Sequence, residues 1–130
     1  MCDTLRRPMA KASRRFSARA YSNGPLPLPV EQIIGQIRQL MWKHAGIVRT
    51  GSSLEQAIRG LEEIGRQISY PHNRRECEAR NLQTAGLLIA RSALAREESR
   101  GSHYRTDFPD RNDMKLRRHS LVAGDKIRFE

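Results

Sequence analysis

Three stretches of this chain space their apolar residues as an α-helix does, and only short connections separate them. The first sets Val30, Ile33, Ile34, Ile37, Leu40 and Met41 along one stripe, with Gln32, Gln36, Arg38, Gln39 and Lys43 opposite. The second repeats Leu54, Ala57, Ile58, Leu61, Ile64 and Ile68. The third, from about Arg75 to Glu98 or Ser99, places Leu82, Ala85, Gly86, Ile89, Ala93 and Leu94 near one face, widened by Leu88. Short loops reach only antiparallel neighbours, so the spacing predicts an all-α fold, a three-helix antiparallel (spectrin-like) bundle.

Local signals set the ends. Pro29 suits a first turn because its missing N–H costs nothing there. Gly46 stops the first helix, and Ile47-Val48-Arg49-Thr50-Gly51 connects it to the second. Ser52 with Glu55 three residues on has the form of a capping box. Glu62 and Arg66 stand four apart in the favourable order for a surface pair. Gly86, Ala90 and Ala93 would let a neighbouring helix come close, which accounts for a glycine inside a helix. Trp42 follows the first apolar stripe and reads as core filler. Gly101 reads as the stop of the third helix, and an irregular exit loop runs through residues 99–113. Met114–His119 reads as one further turn, and Leu121-Val122 with Ile127 and Phe129 around Ala-Gly-Asp as a small C-terminal β hairpin.

Residues 1–29 carry no sustained period and end in Pro25-Leu26-Pro27-Leu28-Pro29, an extended lead-in. The organisation is therefore a disordered basic and Pro-rich lead-in over 1–29 and a helical domain over 30–130. Net charge is +10, and half of it lies in the first 30 residues, where six Lys/Arg face one acid. The folded part is only mildly basic. Glu97, Glu98, Asp107, Asp110 and Asp113 near its arginines argue against a phosphate-binding face. A small basic helical protein that binds nucleic acid through the 1–29 tail is the alternative reading. No run approaches the ~20 apolar residues of a membrane span. Cys2 and Cys77 have no CxxC or metal-ligand spacing, so two free thiols in a reduced, cytoplasmic compartment are expected. The Arg- and Ser-rich, acid-poor start also fits an organelle import signal.

Chemistry-bearing motifs are scarce. There is no glycine-rich phosphate cradle. His44, His72, His103 and His119 are not spaced as metal ligands. Ser99, Ser102 and His103 share one loop, but neighbouring residues rarely meet as nucleophile and base with an orienting acid behind them. No catalytic, cofactor-binding or metal residue is expected.

Several strings together resemble a known family: Leu40-Met41-Trp42, Gly46-Ile47-Val48-Arg49, Arg80-Asn81-Leu82, and Arg96-Glu97-Glu98-Ser99-Arg100-Gly101-Ser102-His103-Tyr104-Arg105-Thr106-Asp107-Phe108-Pro109. In order and spacing they are similar to the C-terminal helical domain of L-aspartate oxidase, within the succinate dehydrogenase and fumarate reductase flavoproteins. The resemblance covers roughly residues 30–130. It implies that the FAD-binding and substrate-capping domains lie N-terminal to such a domain. They would hold the flavin and oxidise L-aspartate to iminoaspartate in NAD biosynthesis. On this basis the chain is expected to be a stand-alone or fragmentary helical domain that binds no cofactor itself. It would act as a scaffold docking on FAD-binding and capping domains supplied in trans or by a split gene. The docking candidates are Trp42, Arg49, Arg100, His103, Tyr104, Arg105, Asp107 and Phe108. Arg100, His103, Arg105 and Asp107 would form a polar network with Tyr104 and Phe108 as anchors. The same network would serve equally to close the helix end and seat the terminal hairpin.

Overall fold

The computed structural model describes residues 24, 26–68, 70–124 and 126–130. The expectation of a disordered 1–29 lead-in, and Cys2 with it, falls for the most part outside those residues. The described part is helix-rich with a small strand hairpin. In order it runs α1 (Val30–His44), β1 (Val48–Arg49), α2 (Gly51–Gln67), α3 (Arg74–Ala95), β2 (Tyr104–Arg105), α4 (Asp113–Leu116), β3 (Ser120–Ala123) and β4 (Lys126–Phe129).

The three long helices all touch one another. Ile33, Ile34 and Ile37 of α1 meet Leu61, Ile64 and Ile68 of the α2 stripe and Ala79 of α3. Ala45, Leu54, Ala57, Ala90 and Ala93 form a second cluster, and half-buried Met41 packs against both. Leu26 and Leu28, just ahead of α1, also pack against the first cluster. Each fully buried isoleucine or leucine contributes about 1.5–3 kcal/mol relative to exposure, so these stripes supply most of the drive for the helices to associate.

The buried face of α3 differs from the expected one. It is Ala79, Gln83, Gly86, Ala90 and Ala93, while Leu82, Ala85, Leu88 and Ile89 are exposed. Small residues win because they allow close approach. A methyl group at Gly86 would lie 3.2 Å from the Met41 sulfur. Gln83 is tolerated in this seam because its amide donates to the Leu61 carbonyl at 2.8 Å.

Helix ends also moved. The N-cap of α2 is Thr50, whose hydroxyl accepts from the Ser53 N–H at 3.1 Å, and not Ser52. The helix starts early because Asp107 holds the Gly51 N–H at 2.9 Å. Glu62 turns to Arg91 of α3 at 2.7 Å, and Arg66 pairs with Glu63 instead. The third helix ends at Ala95, several residues short of Gly101. Gly101, with φ of 59°, instead sits in a tight turn closed by reciprocal backbone bonds between Arg100 and His103. The terminal hairpin matches expectation, with β3 and β4 antiparallel and Val122 opposite Ile127.

Candidate functional site

The exit loop departs from α3 because an arginine ends the helix. Arg105, 2% exposed, aims its Nη1 at the carbonyls of Ala93 and Leu94, at 3.1 and 3.0 Å. These carbonyls would otherwise lack partners at a helix C-terminus. The other edge of the guanidinium grips Asp107 twice, Nε to Oδ1 and Nη2 to Oδ2, both at 2.7 Å. Arg105 holds the Asp107 carboxyl far below the usual range. Arg105 also lies 4.9 Å from the centre of the Phe108 ring.

Strand β2 carries this arginine inward. Tyr104 and Arg105 pair in parallel with Val48 and Arg49 of β1, so the loop between α1 and α2 is sewn to the loop after α3. Ser99 completes the loop: its hydroxyl donates to the Phe108 carbonyl at 2.8 Å and accepts from the Arg105 N–H at 2.9 Å.

A second centre is Glu98, with no exposed side-chain surface. Its carboxylate takes Arg96 at 2.6 Å, Arg100 at 2.9 and 3.0 Å, and the Asn112 N–H at 2.9 Å. Hydrogen bonding to Arg100, then the Asn112 N–H and Arg96, overcomes burial and lowers its pKa to about 2. Arg100 also binds Asp113. Arg96 reaches the carbonyls of Leu116 and Arg118, at 2.8 and 2.7 Å, and lies 5.1 Å from the centre of the Phe129 ring, tying the hairpin to the loop.

His103 joins the two loops. Its Nε2 donates to the Arg96 carbonyl at 3.1 Å, so Nδ1 is the acceptor for Arg49 at 2.7 Å. Burial, reinforced by Arg49, Arg105 and Arg96, keeps its pKa low, against the pull of the Arg96 carbonyl. Both ring nitrogens are thus committed to structure. The Ser99 hydroxyl is committed elsewhere in the loop, and the two do not form a nucleophile–base pair.

The structure therefore gathers Arg49, Arg100, His103, Arg105, Asp107 and Phe108 in or beside one network. Arg105 is spent internally. Tyr104 points outward, 43% exposed. Trp42 stands apart, and its reading as core filler is overturned: it is 87% exposed near the end of α1. The stripe of α1 is already filled by Ile34, Ile37 and Met41, and Trp42 is one residue past it. Ile47 and Val48 are exposed as well. Sequence reasoning missed Glu98 and Ser99 as organising residues. The available signal was Glu98 flanked two residues away on each side by Arg96 and Arg100, a spacing that converges only once the chain has left the helix. Among the described residues no cluster of metal-ligating side chains forms, and no helix is long and apolar enough to cross a membrane.

Residues 35–130 match a family model described as the fumarate reductase flavoprotein C-terminus. The chain is 33% identical over 109 residues to an uncharacterized FAD-dependent oxidoreductase of Methanocaldococcus jannaschii, a match covering 79% of this chain and 20% of that protein. It is 37% identical over 97 residues to the L-aspartate oxidase of Pyrococcus horikoshii, covering 75% and 18% respectively. With the L-aspartate oxidase of Pyrococcus abyssi it shares 43% over 76 residues, covering 58% and 14%. The matched segment thus spans a fifth or less of each of these relatives.

Proposed function

The chain belongs to the fumarate reductase flavoprotein C-terminal family, and on that premise we propose that it is the docking module of an L-aspartate oxidase-like flavoprotein. The body it docks on, carried on the same polypeptide or another, would hold FAD and oxidise L-aspartate to iminoaspartate. The observation that carries this reading is the apolar surface beside a closed polar network. Trp42, Ile47, Val48 and Tyr104 are exposed at the α1 end and the β1–β2 pair, while the polar groups behind them largely satisfy one another. A rigid frame that presents aromatic and branched side chains to solvent suits an interface core.

The same reading takes the three long helices as the antiparallel, spectrin-like bundle expected from their short connections. It assigns the flavin to the body. In support, the N-termini of α2 and α3, where a diphosphate could sit, are engaged by the chain itself. Asp107 and Thr50 take the first amides of α2, and Asn73 accepts from the Glu76 N–H of α3.

The test is titration of the chain with Pyrococcus horikoshii L-aspartate oxidase stripped of its own helical segment. Calorimetry would follow association, and flavin bleaching by L-aspartate would follow recovered function. Association that is lost in a Trp42→Ala, Tyr104→Ala double variant is expected. Stoichiometric FAD on the chain alone, or no association at all, would sink the reading. DNA binding that requires residues 1–29 would favour the nucleic-acid alternative.

A further inference from the structure

Among the described residues, Arg49 is the arginine of this region that meets no carboxylate. Arg96 and Arg100 meet Glu98, and Arg105 meets Asp107. Arg49 forms no ion pair among the described residues. Its Nε donates to the Gly46 carbonyl and its Nη1 to His103 Nδ1, leaving Nη2 without a partner among those residues. His103 brings no negative charge: its ring proton is on Nε2, given to the Arg96 carbonyl. Burial lowers the Arg49 pKa, the mark of a cation taken partly out of water without compensation. Such a group costs stability unless an anion arrives.

The surroundings define what could arrive. Arg49 and His103 line one part of an open groove of about 350 Å³, whose other walls include Leu88, Ile89 and Ser92 of α3. Ile89 is 51% exposed, and Leu88 is exposed too, although both were expected in the core. Among the described residues, a guanidinium without an ion pair thus sits beside an exposed apolar wall.

From this charge imbalance and apolar wall, we infer that the groove receives an acidic side chain of the FAD-binding body, its carboxylate on Arg49 and its apolar neighbours on Leu88 and Ile89. The inference rests on the docking reading and gives it a chemical partner. A protein carboxylate suits the groove better than a free anion. In an open groove with one uncompensated cation, a free anion must compete with water, whereas apolar contacts hold a docked one in place.

The experiment titrates the full chain and its variants with the same FAD-binding body of the Pyrococcus horikoshii enzyme. Arg49→Gln is expected to raise Kd by about tenfold or more and to flatten its dependence on salt, with Arg49→Lys in between. Ile89→Glu supplies a carboxylate to the groove from within the chain. At this exposed position it should weaken docking while raising the thermal midpoint of the chain alone. Should Arg49→Gln fail to fold by circular dichroism, Ile89→Glu decides. Wild-type docking with Kd and salt dependence unchanged in these variants overturns the inference and leaves the docking module standing. No docking by the wild type overturns both.

Discussion

Arg105 and Asp107 are joined at two points, 2.7 Å each, while the remaining guanidinium nitrogen caps the carbonyls of Ala93 and Leu94. One side chain thus ends α3, bends the exit loop and, through Asp107 and the Gly51 N–H, anchors the start of α2. Arg105→Ala should lower the unfolding free energy by about 3 kcal/mol or more, since it strands helix carbonyls and a partnered carboxylate. Arg105→Lys should recover less than half, because an ammonium cannot serve both edges of the fork. Urea unfolding checks both; a lysine variant as stable as wild type would refute the two-edged role.

Glu98 makes the fold acid-sensitive. Its pKa is lowered from 4.5 to about 2 in the folded chain. The unfolded chain therefore binds this proton first, and the stabilisation is complete above about 4.5. It is lost as pH falls from there toward 2. Glu98→Gln should lose stability at neutral pH and show a shallower decline across that window in pH-dependent thermal melts.

His103 adds a milder dependence of the same sign. Its folded pKa lies below the unfolded value of about 6.5, so its stabilisation is full above that pH and fades as pH falls toward the folded pKa. The groups facing it are Arg49, Arg96 and Arg105, all cationic. Nitrogen NMR at neutral pH should find the proton on Nε2; an Nδ1–H tautomer would break the proposed bond from Arg49.

Trp42 should report solvent. As the single tryptophan, it should emit at a water-like wavelength in the isolated chain and shift to the blue on docking. Trp42→Ala should change stability by less than about 0.5 kcal/mol, as exposed substitutions do.

Gly65 tests the seam between α2 and α3. A methyl there would lie 2.5 Å from the Gln83 amide nitrogen that bonds the Leu61 carbonyl. Gly65→Ala should cost about 1–3 kcal/mol despite its better helix propensity. Thermal melts of Gly65→Ala paired with Gln83→Ala should show the cost relieved.

Helix positions and the terminal hairpin were legible in sequence because periodicity and turn residues are local. The buried stripes of α1 and α2 came out nearly residue by residue. Trp42 was misread because one residue of rotation separates the filled stripe from solvent. The exit loop was recognisable by its motif, but its two centres were not. Glu98 counted only among the acids near the arginines, and Arg105 as one of several docking residues.

The amino-acid order alone therefore determined which residues share each helical face, the break after α1 at Gly46, and the family resemblance of the loop. Tertiary structure decided which of the two apolar faces of α3 is buried, choosing the small residues because helices approach more closely over them. It also decided which charges meet. On a continuing helix Glu98 would face away from Arg96 and Arg100, and it meets them only when Arg105, nine residues beyond Arg96, takes the carbonyls that would have continued the helix. That choice depends on contacts between segments, which no local pattern records.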